Sequence, residues 1–138
     1  MVAAAALLLS ACSGQITNAT AADPAQRNVV YPISAAQADQ AIGESMQEVF
    51  PESPIVAVAL PRKGYTVTIS FLADSHRITA VAEPAKGRGA DGTPIEGFAF
   101  TVSDYGSIPI TATSRAQRLF AAINRRASTM AVPVPAVN

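Results

Sequence analysis

Between Tyr65 and Phe71 the chain alternates without a slip, with Tyr65, Val67, Ile69 and Phe71 on one parity and Thr66, Thr68 and Ser70 on the other. That is the period of a β-strand with one face on a core and one in water. Such a strand cannot stand alone. It needs neighbours for its backbone groups and an apolar layer over one face. The adjoining sequence supplies both. Ile55 to Leu60 is a continuous apolar run between Pro54 and Pro61, which suits a buried strand, and Pro61-Arg62-Lys63-Gly64 reads as a turn. Ala73-Asp74-Ser75 offers a second turn, and His76 to Glu83 is another alternating stretch closed by Pro84. Pro94 to Tyr105 carries Ile95, Phe98, Phe100 and Val102, with a one-residue slip around Gly97 that predicts a bulge. Four consecutive strands with short links predict an antiparallel meander.

Helical periods flank the strands. Ser34 is a good N-cap, Gln37 completes a capping box, and Ile33 is placed to staple against Ala38. Ala38, Ala41, Ile42, Met46 and Val49 then recur at three- and four-residue spacing until Pro51 and Pro54 end the helix near Phe50. After a Gly106 to Ala112 loop, Thr113 can cap a closing helix in which Ala116, Leu119, Phe120, Ile123 and Ala127 share a face. The expected fold class is α+β: a helix, a four-stranded antiparallel meander and a C-terminal helix, with both helices on one sheet face. Thr66, Thr68, Ser70, Thr79 and Thr101 would then form a solvated opposite face.

The chain has 138 residues, 49% of them hydrophobic, enough for one compact domain. Ten basic residues balance ten acidic ones, so no long-range field draws the protein to nucleic acid. A single cysteine, Cys12, forbids an intrachain disulfide. It follows the apolar run Met1 to Leu9, which fits a signal-peptide core and falls short of the roughly 18 residues that span a bilayer. Leu9-Ser10-Ala11-Cys12 resembles the bacterial lipobox, in which small residues admit the lipoprotein signal peptidase ahead of a diacylglyceryl-modified cysteine. The run before it departs from the usual pattern in having no Lys or Arg. The resemblance implies lipidation of Cys12, residence in a bacterial cell envelope and, with Ser13 in place of Asp, an outer-membrane anchor facing the periplasm. Two or more acyl chains hold a protein stably, so the domain would need no other membrane anchor.

Residues 1–11 thus read as a signal peptide, 12–28 as a flexible tether, 29–128 as the α+β domain and 129–138, with Pro133 and Pro135, as a disordered tail. The tether would hold the domain on the order of 20 Å from the lipid.

Catalytic and cofactor motifs are weak. Gly87-Arg88-Gly89-Ala90-Asp91-Gly92 matches G-x-G-x-x-G, but a strand rather than a helix follows, so it reads as a hairpin loop without dinucleotide. His76 is the only histidine, which excludes a multi-histidine metal site, and the Asp74-Ser75-His76 run has no nucleophile elbow beside it. Glu83 and Glu96 read as surface carboxylates. The remaining candidates are cations suited to an acidic partner: Lys86 and Arg88 on the loop, and Arg115, Arg118 and Arg125 on the closing helix, where Arg126 adds charge near the C-terminus. The expectation is a non-enzymatic, lipid-anchored envelope protein without cofactor or nucleic acid, which binds an envelope partner. A periplasmic small-ligand carrier or sensor, with Phe98 and Phe100 at its site, is the alternative.

Overall fold

A computed structural model describes residues 15–20, 26–58, 63–71, 74–106 and 109–137. Cys12 and the segment 1–11 lie outside these residues. The fold is α+β, with two helices packed on antiparallel strands. The first helix, α1 (Ala35–Val49), begins where its local chemistry requires. The Ser34 hydroxyl accepts from the Gln37 amide at 3.1 Å, and the Gln37 side chain accepts from the Ser34 amide at 2.9 Å. Its inner face buries Ala38, Ala41, Ile42, Ser45 and Met46.

The sheet has five strands rather than the expected four. Its strands are β1 (Gln15–Asn18), β3 (Ile55–Val58), β4 (Lys63–Phe71), β5 (Asp74–Arg88) and β6 (Pro94–Gly106), in the order β1-β6-β5-β4-β3. A separate pair joins β2 (Val29–Val30) to β7 (Val134–Pro135). Three expectations change with this. The tether contains β1, whose Gln15–Asn18 pairs with Ser103–Gly106. The tail is not disordered, because β7 pairs with β2, Ala136 bridges Gly87 and the Val137 amide donates to the Lys86 carbonyl at 2.9 Å. The stretch Ile55–Val58 is an edge strand with Val56 63% exposed, since a short apolar run alone does not tell a central strand from an edge.

One expected turn and one expected bulge also change. Asp74, Ser75 and His76 open β5, paired with Phe71, Ser70 and Ile69, instead of lying in a turn. At Gly97 the strand runs on without a bulge, opposite Ala85. The glycine serves a close approach. A Cβ there would collide with the Tyr31 carbonyl oxygen, because Tyr31 pairs with Phe98 through two backbone bonds of 2.9 Å.

The second helix, α2 (Pro109–Met130), starts four residues before the expected cap, with Pro109 at its first position, where a missing N–H costs nothing. Ala116, Leu119, Ile123 and Ala127 are buried on its inner face and Phe120 half-buried. Ile78, Ala80 and Ala82 of β5 and Phe100 and Val102 of β6 meet these residues and the α1 face in one core cluster. By alternation Arg77, Thr79, Thr101 and Tyr105 project from the opposite face of the sheet.

Candidate functional site

Among the described residues, Tyr31 and Asn124 are the largest polar groups that the core encloses, at 1% and 2% exposure. Tyr31 is held by its backbone pairing to Phe98, and its ring lies 5.7 Å from that of Phe100 at 49°. Asn124 lies on the inner side of α2. The Tyr31 hydroxyl donates to Asn124 Oδ1 at 2.6 Å, and Asn124 Nδ2 donates to the Phe120 carbonyl at 2.9 Å. Each buried polar atom of this chain of bonds therefore has a partner. Burial pushes the Tyr31 phenol above its ordinary value, with a hydrogen bond from Ser128 opposing in part.

Tyr31 and Asn124 line a cleft of about 360 Å³ between β2, β6 and α2, together with Phe120, Ala99, Gln26, Arg27 and Asn28. Asn28 has φ +54°, a left-handed conformation that Asn tolerates better than most residues. Its carbonyl accepts from the Ala136 amide at 2.8 Å, so the C-terminal segment fixes one wall of the cleft. The volume lies at the lower end of small-molecule pockets, and the lining joins aromatic surface to a few polar groups. Such a cleft can bind. Phenol and amide satisfy each other, so what they present to the cleft is shape more than free donors and acceptors.

A second polar junction stitches α1 to the sheet, where the Tyr65 hydroxyl donates to Asp39 Oδ1 at 2.9 Å. Its phenol is also raised, first by desolvation and then by the hydrogen bond and charge of Asp39.

The cations read from the sequence divide between different settings. Arg125 donates through Nη2 to both carboxylate oxygens of Glu48, at 2.9 and 2.7 Å. Arg126 joins the same carboxylate at 3.3 Å and reaches Glu44 at 3.5 Å. Arg125 is thus engaged between the helices, and its hydrogen bond holds the Glu48 carboxyl below the ordinary carboxylate range. Arg118 is exposed and Arg115 half-buried. Lys86 stands opposite Glu96 on the hairpin, and Arg88, the last residue of β5, stands opposite Pro94. Arg88 also borders a shallow groove of about 690 Å³ along Val132 to Val137.

Gly87 and Arg88 end β5, and Gly89 to Thr93 form a hairpin connection and not a helix N-terminus. The Gly89 amide donates to the Thr93 carbonyl, Asp91 Oδ1 accepts from the Thr93 amide, and Gly92 adopts φ +81°. Phe100 lines the cleft, whereas Phe98 borders a different hollow of about 490 Å³ beside Lys86 and Glu96. Tyr31 and Asn124 carry no signal in the sequence, because no local pattern links residues 93 positions apart. Among the described residues, no group of three His, Cys, Asp or Glu is placed to hold a metal ion, and no helix is long and apolar enough to cross a membrane. No protein-family profile, curated protein sequence or solved structure matches this chain.

Proposed function

We propose that this protein is a non-enzymatic lipoprotein of the bacterial envelope, anchored through Cys12 in the outer membrane, whose domain binds another envelope protein or contributes to assembly there. The observation that carries this reading is the sequence Leu9-Ser10-Ala11-Cys12 directly after an apolar run, followed within a few residues by the first strand of a folded domain. An anchor placed there leaves the helices, the hairpin and the Val132–Val137 groove to a partner. Arg118, Lys86 and Arg88 are exposed cations on that surface, which suits an acidic one. Fractionation of cells tests the anchor and cross-linking followed by pull-down tests the partner. The wild type is expected in the membrane with a recurrent envelope protein attached, and Cys12→Ala in the soluble fraction. A wild type that fractionates as soluble, or repeatedly returns no envelope partner, contradicts the reading.

A second reading, a small-ligand carrier or sensor, draws on the Tyr31–Asn124 cleft. Native mass spectrometry of the purified protein distinguishes the two, since a carrier retains or takes up a small molecule and Tyr31→Ala abolishes it.

A further inference from the structure

We infer, on the strength of the anchor reading above, that the end of the sheet bearing Arg77 and Tyr105 rests on the phospholipid headgroups of the membrane that holds Cys12. The observations specific to this contact are register and exposure. β1 begins at Gln15, opposite Gly106, and the next residue, Ile16, pairs with Tyr105. On the other side of β6, Tyr105 pairs with Arg77 of β5. Tyr105 is 40% exposed although large and aromatic, and Arg77 is exposed beside it. The guanidinium carbon of Arg77 lies over the Tyr105 ring, 5.3 Å from its centre.

Chain length brings this pair to the lipid. Four peptide steps separate Cys12 from Ile16 and span at most about 14 Å, one strand spacing more reaches Tyr105 and a second reaches Arg77, so the pair lies within about 25 Å of an anchored cysteine. The opposite end of the sheet has no such constraint. β5 continues from Arg77 to Arg88, so the hairpin is carried about 35 Å further along the strand direction.

The chemistry of the pair suits that surface. Tyrosine has an apolar body and a polar tip and concentrates at headgroup level. A guanidinium held over an aromatic face keeps its in-plane N–H donors for an acceptor, and phosphate matches their geometry. The lipid anchor supplies the attachment. Arg77 and Tyr105 set the orientation, directing the hairpin end away from the membrane.

The chain contains no Trp, so Tyr105→Trp introduces a single indole at the contact, and Ala90→Trp places one at the hairpin tip as a reference. Each full-length variant is purified from cell membranes, the mass of its N-terminal peptide is measured, and the protein is reconstituted into phosphatidylcholine–phosphatidylglycerol vesicles carrying a headgroup nitroxide. The indole of Tyr105→Trp is expected to be quenched and blue-shifted, and that of Ala90→Trp to be neither. Adding Arg77→Ala to Tyr105→Trp should reduce the contact equilibrium about fivefold, the weight of one basic residue near an anionic surface. A lipidated Tyr105→Trp protein quenched no more than Ala90→Trp overturns the orientation and leaves the anchor standing. An unlipidated N-terminal peptide overturns both.

Discussion

The two ends of the sheet are built differently. At the hairpin end, β2 and β7 pair across the chain termini of the domain, Ala136 bridges Gly87, Val137 bonds to Lys86 and Tyr31 lies against Phe98. At the other end Tyr105 stands exposed beside β1, with Arg77 exposed one strand further. Residues at the first end therefore support the fold, and the exposed pair at the second can act on something outside it. If this contrast is right, substitutions at the hairpin end change stability, whereas the Arg77–Tyr105 pair changes membrane contact and little else.

Gly97→Ala should have the largest effect. Its Cβ must displace a backbone carbonyl, which breaks the Tyr31–Phe98 bridge, and a loss of about 3 kcal/mol or more is expected in urea unfolding. A neutral result would dissolve the contrast, because it would mean that the pairing to Tyr31 is dispensable.

Tyr31→Phe comes next. It removes the hydroxyl and leaves Asn124 Oδ1 buried without its donor, for about 1 to 3 kcal/mol. The same residue predicts an alkaline effect. Its phenol holds the proton more tightly in the folded state than the ordinary value of 10.0, so its stabilising contribution is complete below that pH and is lost as pH rises through the folded value. Stability followed from neutral to strongly alkaline pH should fall less steeply in Tyr31→Phe than in the wild type. Parallel curves would mean that this phenol is not linked to folding.

The interhelix cluster should matter less, because it is solvent-exposed. The Glu48 carboxyl titrates below its ordinary value, so its contribution is present above the unfolded carboxyl pKa and fades as pH falls through the folded one. Carbon-detected NMR should show the Glu48 midpoint rising in Arg125→Ala. An unmoved midpoint would exclude Arg125 as the main cause. Arg77→Ala should have the smallest effect, within about 0.5 kcal/mol of wild type in the same unfolding assay. A loss as large as that of Tyr31→Phe would make Arg77 part of the scaffold and erase the difference between the two ends.

The parts of this fold that are legible in the sequence are those with local causes. The start of α1 follows from Ser34 and Gln37, and its end from Met46 to Pro51, with no need of the rest of the chain. β4 announces itself by alternation, as do the stretches His76 to Glu83 of β5 and Phe98 to Val102 of β6, while the run of β5 past Pro84 to Arg88 does not. The strands at Gln15, Val29 and Val134 do not, because they are short, rich in polar residues or proline, and formed only by what pairs with them. For α2 the sequence points to a start at Thr113 because hydroxyl caps are the stronger signal, whereas Pro109 is permissive and not directive. The cleft is legible only at Phe100. Its polar pair depends on bringing Tyr31 and Asn124 together from opposite halves of the chain, which tertiary packing alone achieves.

Both the proposed role and the membrane-facing end of the sheet depend on Cys12. Intact-mass and peptide mass spectrometry of the full-length protein purified from bacterial membranes, beside Cys12→Ala, tests it directly. The prediction is a mature chain that begins at Cys12 and carries diacylglyceryl and N-acyl mass, with an unmodified, uncleaved Cys12→Ala chain. A wild-type chain that retains residues 1–11 and an unmodified thiol would contradict the anchor, and with it the membrane-facing end of the sheet.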